Sequence, residues 1–166
     1  MTQQFLILCV DDERDVLDSV VQDLEEFEEH FIVEAAESVS EAKDVIADYA
    51  SQDIPLALVL CDHIMPEQTG ISFLIELNDE EPTFHTRKLL LTGQAGLDDT
   101  VEAINHACLD FYIGKPWDQY ELRKTIKHQL TLFVINYSSD LTPWLNILEA
   151  DLLLKKMAEK RNQFGE

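Results

Sequence analysis

Asp11, Asp12, Asp62, Thr92 and Lys115 carry the groups needed to handle a phosphoryl group. A carboxylate can attack phosphorus and become an acyl phosphate. The incoming group is anionic, and three clustered carboxylates would repel it. A hard divalent cation removes that obstacle, because Mg²⁺ takes oxygen ligands and bridges carboxylates to phosphoryl oxygens. Lys115 could neutralise a further oxygen as a point charge, and Thr92 could donate its hydroxyl to another. Gly93, beside Thr92, leaves room for the group to approach.

Each of these residues follows an apolar run. Phe5 to Val10 leads into Asp11-Asp12, and Leu56 to Cys61 leads into Asp62. Leu89 to Leu91 leads into Thr92-Gly93, and Phe111 to Gly114 leads into Lys115-Pro116. In an open parallel sheet the carboxyl ends of the strands share one edge, where ligands bind. Taken singly, each pair has an ordinary explanation as a helix cap, a strand end or a turn. A common site explains all four together.

Helical patterns alternate with these runs. Val16, Leu17, Val20, Val21, Leu24 and Phe27 predict a helix over 14–29. Phe31 to Val33 is a short strand. Ser38 with Glu41 three residues on is a capping box, followed by the stripe Ala42, Val45, Ile46 and Tyr49. Gly70 to Leu77, residues 98–108 and the segment after Pro116 read as three more helices. Five strands alternating with five helices imply βαβ units with right-handed crossovers. The expected fold is α/β, a flavodoxin-like doubly wound parallel sheet in the order 2-1-3-4-5, which sets Asp11 and Asp12 beside Asp62.

Residues 136–142 break the pattern. Thr142-Pro143 then reads as a helix start, and Trp144, Leu145, Leu148 and Leu152 recur at helical spacing. The division is therefore a domain over 1–135 and a C-terminal helical extension over 136–166.

A net charge of −21 in 166 residues argues against nucleic acid and against an anionic membrane surface. No run is long enough to cross a membrane, and the first residues lack the pattern of a signal peptide. Cys9, Cys61 and Cys108 form no CxxC pair and read as free thiols in a cytoplasmic protein. The five histidines show no metal-ligand spacing.

Asp-Asp-Glu at 11–13, Asp62 with Met65-Pro66 and Gly70, Thr92-Gly93 and Lys115-Pro116 together resemble the receiver domain of bacterial two-component response regulators. The resemblance covers residues 4–130, and Lys115-Pro116-Trp117-Asp118 is similar to a subset of that family. It implies that Asp62 accepts the phosphoryl group from a histidine kinase. It implies that Asp11, Asp12, Asp62 and the backbone carbonyl of Ile64 hold Mg²⁺, and that Thr92 and Lys115 contact the phosphoryl group. The bond before Pro116 would be cis. Thr92 and an aromatic residue, Tyr112 or its neighbour Phe111, would form the switch. Ile64 and Gln94 would flank the path of the hydrolytic water, and neither can act as a base, so the phosphorylated state should decay slowly. The candidate homodimer surfaces are the face of the fourth helix, fifth strand and fifth helix, and the C-terminal helix.

Two other readings compete. A haloacid-dehalogenase-like phosphatase needs its nucleophile after the first strand with a second Asp two residues on, but position 13 is Glu. A degenerate receiver serving only as a binding module is disfavoured by the complete set Asp11, Asp12, Asp62, Thr92 and Lys115. No basic recognition helix follows the domain.

Overall fold

The computed structural model describes residues 3–93 and 109–163. Strands β1 (Leu6–Val10), β2 (Ile32–Ala36), β3 (Leu56–Cys61), β4 (Arg87–Leu91) and β5 (Phe111–Ile113) form one parallel sheet in the order β2-β1-β3-β4-β5. This is the expected doubly wound order. The helices are α1 (Arg14–Asp23), α2 (Val39–Ala50), α3 (Gly70–Asp79), α4 (Gln119–Tyr137) and α5 (Ala150–Gln163). The helix expected over 98–108 lies outside the described residues, as do Gln94 and Cys108.

The sheet is buried on both faces, which is why β1 and β3 read as unbroken apolar runs rather than alternating ones. Side chains still alternate between the faces. Phe5, Ile7 and Cys9 join a core with Leu17 and Val20 of α1 and with Leu122, Ile126 and Leu130 of α4. Leu6, Leu8 and Val10 join the opposite core with Ala42 of α2 and with Phe73, Leu74 and Leu77 of α3. Burial pushes the Cys9 thiol up to about 12, so it stays protonated and inert.

The Ser38 cap of α2 forms as expected, while Glu41 reaches back to the Glu37 amide rather than to that of Ser38. Ser38 Oγ accepts from the Glu41 amide at 3.1 Å, and Glu41 Oε2 accepts from the Glu37 amide at 3.1 Å.

Two elements depart from the sequence reading. First, α1 stops at Asp23 rather than at 29, and a 3₁₀ turn covers Glu25–Phe27. Asp23, Glu25, Glu26, Glu28 and Glu29 would load the negative end of a longer helix with negative charge. The turn still buries Leu24 and Phe27.

Second, Thr142 is not a helix N-cap. Residues Thr142–Trp144 form a 3₁₀ turn, and the helix begins only at Ala150. Tertiary packing overrides the helical spacing here. Trp144 is buried, stacks on Phe31 at a centroid distance of 5.4 Å and lies 5.6 Å from Phe5. Leu141, Leu148 and Leu153 enter the same core as α1 and α4. The buried leucine of α5 is Leu153, and Leu152 is only partly covered. The start of α5 is tied to α4, since the Glu149 amide donates to Thr131 Oγ1 at 3.2 Å. His128 Nδ1 lies 2.7 Å from Glu149 Oε1. Trp144 and Leu148 are thus turned into the chain's own core and are not presented to a second subunit.

Candidate functional site

The register brings the acids together. Val10 of β1 pairs with Cys61 of β3, so Asp11 and Asp62 leave the sheet side by side at its carboxyl edge. The Asp62 amide donates to the Val10 carbonyl at 2.9 Å, and the Asp11 amide donates to the Ala36 carbonyl at 3.1 Å. Asp11 and Asp62 are buried, and Asp12 is exposed.

Lys115 arrives from the end of β5. Its ammonium donates to Asp11 Oδ2 at 2.8 Å and lies 3.4 Å from Asp62 Oδ1. The second oxygen of Asp11 accepts from the Glu13 amide at 2.9 Å. Burial works to lower the Lys115 pKa, but its hydrogen bond to Asp11 and the charges of Asp62 and Asp11 outweigh that and raise it. The ammonium is therefore fixed in its charged form. The peptide bond between Lys115 and Pro116 is cis, as the resemblance implied.

One oxygen each from Asp11, Asp12 and Asp62 lies within 4.8 Å of the others, so a single cation could touch all three. These are hard oxygen donors, and a partly exposed member leaves room for water ligands. The set suits Mg²⁺, which keeps several waters and uses a few carboxylates.

Thr92 is buried at the end of β4, where its amide donates to the Ile113 carbonyl at 3.1 Å. Tyr112, 39% exposed on β5, donates its hydroxyl to the Thr92 carbonyl at 2.9 Å. Phe111 is exposed and has no such link. Of the two aromatic candidates, Tyr112 is the one in contact with Thr92. The Ile64 side chain is 53% exposed.

Two residues of the site had no role assigned from the sequence, although Gly70 stood in the motif that carries the resemblance. Gly70 opens α3 against the carbonyl of Asp62, and its amide donates to the His63 carbonyl at 2.9 Å. A Cβ at position 70 would lie 2.0 Å from that Asp62 oxygen. Only glycine allows the helix to approach so closely. Gly70→Ala should therefore destabilise the fold by about 2–3 kcal/mol, the upper range for overpacking, and should displace Asp62. Thermal unfolding checks the first effect, and a midpoint equal to that of the parent would contradict it. The second feature is His63, buried beside Asp62, whose Nδ1 accepts from the Ile71 amide at 3.4 Å. Cys61 also supports the loop. Its thiol donates to the Asp62 carbonyl at 3.2 Å, and burial together with the charges of Asp62 and Asp11 pushes its pKa well up.

Asp11, Asp62 and Lys115 meet at one edge of the sheet, and comparison with known proteins decides the family. The chain matches the response regulator receiver domain over residues 7–127. It belongs to that family. Response regulator Rre1 of Synechocystis sp. is 31% identical over 130 residues, covering 78% of this chain and 53% of that protein. The hydrogenase transcriptional regulatory protein HoxA of Cupriavidus necator is 30% identical over 125 residues, covering 75% of this chain and 24% of that protein. The receiver thus spans a quarter to about half of those two relatives. A CheY-like receiver domain protein from Methanospirillum hungatei JF-1 superposes with a TM-score of 0.66 at 30% identity, covering 79% of this chain and 97% of the other. The signal receiver domain of an HD domain-containing protein from Pseudomonas fluorescens Pf-5 has the same fold, with a TM-score of 0.72 at 24% identity over 84% of this chain and 96% of that one. Among the described residues of this receiver, no helix is long and apolar enough to cross a membrane.

Proposed function

We propose that this receiver takes a phosphoryl group from the phosphohistidine of a histidine kinase onto Asp62 and signals through the resulting change at Thr92 and Tyr112. The observation that carries the reading is the Lys115 ammonium, 2.8 Å from Asp11 and 3.4 Å from Asp62. A cation at that point can follow a phosphoryl oxygen once Asp62 is modified.

In the transfer, one Asp62 oxygen forms a bond to phosphorus while the bond from phosphorus to the donor nitrogen breaks. The electron pair leaves with the imidazole. Lys115 offsets the charge on one phosphoryl oxygen, and the Thr92 hydroxyl donates to another. Asp11, Asp12, Asp62 and the Ile64 carbonyl would hold Mg²⁺, which supplies charge neutralisation between carboxylates and phosphoryl oxygens. The chain's only chemistry would then be on itself, its own phosphorylation and dephosphorylation. Buried thiols at Cys9 and Cys61 suit a reducing, cytoplasmic setting. The receiver proper is assigned to 1–135, with 136–166 an extension.

The metal claim is tested by titration. Mg²⁺ should bind with a dissociation constant of about 10⁻⁴–10⁻³ M. Asp12→Ala should weaken it by at least about tenfold, the lower range for lost support at a metal site. Unchanged affinity in that variant removes Asp12 from the site.

The phosphorylated state should persist for minutes or longer. Ile64, two residues after Asp62, carries an exposed apolar side chain and offers water no base. Ile64→Asn should hasten decay by about tenfold, equal to about 1.4 kcal/mol of barrier. A parent half-life of seconds would refute this reading of Ile64.

A further inference from the structure

Lys115 stands on the short connection between β5 and α4, and that connection is fastened at one point on α1. Trp117, two residues after Lys115, donates its indole Nε1–H to Asp23 Oδ2 at 2.7 Å. Gln119 Nε2 donates to Asp23 Oδ1 at 3.0 Å. Arg123 Nε donates to the Asp23 backbone carbonyl at 2.7 Å. The last residue of α1 thus accepts hydrogen bonds from three side chains, that of Trp117 just before α4 and those of Gln119 and Arg123 in its first turns. Both carboxylate oxygens are used, and hydrogen bonds to an ionised acceptor are the stronger kind.

A carboxylate at a helix C-terminus faces the negative end of the helix dipole, which is unfavourable by itself. The three donors offset that cost. The Trp117 ring also packs, half-buried, against the core shared by α1 and α4. Only Pro116 separates Trp117 from Lys115, and its ring fixes φ, so a shift at Trp117 passes to Lys115 with little slack. At its other end, α1 begins just after Asp11 and Asp12. The fastening therefore links the segment that carries the ammonium to the helix that follows the acid pair.

We propose that Asp23 and Trp117 are positioning residues for Lys115, forming a clasp that holds its ammonium against Asp11 and Asp62. The proposal rests on the receiver reading of Lys115. Neither residue touches the reacting atoms. Their effect on phosphorylation passes through the placement of Lys115.

The test is a double-mutant cycle, which isolates coupling between sites. Asp23→Ala, Asp23→Asn and Trp117→Phe are each made in the full chain and again with Lys115→Ala. The readout is the initial rate of labelling by acetyl phosphate with saturating Mg²⁺, below the melting range of every variant. Asp23→Ala and Trp117→Phe should slow labelling by about tenfold, as loss of fixed geometry does. Asp23→Asn should stay within about twofold of the parent. Its amide oxygen still accepts from Trp117, and its amide nitrogen donates to a turned Gln119 amide. With Lys115→Ala present, neither Asp23→Ala nor Trp117→Phe should slow labelling further. The clasp is overturned if both variants label at the parental rate. It is equally overturned if they lose the same fraction with and without Lys115, since that is general destabilisation. Should Lys115→Ala itself label at the parental rate, the receiver reading of Lys115 falls, and the clasp with it.

Discussion

A chain cut after Asn136 should fail to hold a stable fold. The cut removes Leu141, Trp144, Leu148 and Leu153, all buried in the core of α1, α4 and β1. At about 1.5–3 kcal/mol for each buried side chain, the loss rivals the whole stability of an ordinary domain, about 5–15 kcal/mol. It also uncovers Phe5 and Phe31, which Trp144 now covers. The single change Trp144→Ala should cost about 3–5 kcal/mol, the range for emptying a large aromatic site. Urea unfolding of both variants measures this. A cut chain with the parental midpoint would show that the extension is a passive tail.

The second large effect is at Lys115. Lys115→Ala should slow labelling by acetyl phosphate about a hundredfold, the lower range for removing one donor from a developing oxyanion. Among the described residues, the variant leaves buried Asp11 the Glu13 amide as its donor and removes the cation beside Asp62. Mg²⁺ should then bind at least as well, because a competing positive charge has gone. A parallel loss of metal affinity and labelling would instead mean that the site has collapsed. The pH dependence follows from the sign of the Lys115 shift. Its pKa is raised in the fold, so its stabilising contact is complete below the unfolded value of about 10.4. That contact is lost only as pH rises through the higher folded value. Labelling should therefore show no fall attributable to Lys115 between about pH 7 and 9.

The sheet and its edge were legible because strand patterns are local. Unbroken apolar runs ending on Asp11, Asp62, Thr92 and Lys115 specify a parallel sheet with a polar edge, and strand order follows from alternation with helices. Ser38 and Glu41 marked a helix start for the same reason. The misses are tertiary. Nothing local distinguishes Trp144 and Leu148 as a 3₁₀ turn sinking into a core rather than one face of a helix. The acidic run after Leu24 argued for an early stop of α1, but its apolar spacing masked that signal. Within the site, the clash waiting at Gly70 depends on how closely α3 approaches Asp62. The contact between Asp23 and Trp117 joins residues 94 positions apart. Gly70 stood in the motif that carries the resemblance, but neither its close contact with Asp62 nor the Asp23 contact follows from a local pattern.

The most direct measurement is the location of the phosphoryl group. The full chain, treated with acetyl phosphate and Mg²⁺, is weighed intact and then digested and mapped by mass. The account predicts the mass of a single phosphoryl group on the peptide containing Asp62, none in the presence of a chelator, and none in Asp62→Asn. A label on another residue, or one that survives Asp62→Asn, would contradict it.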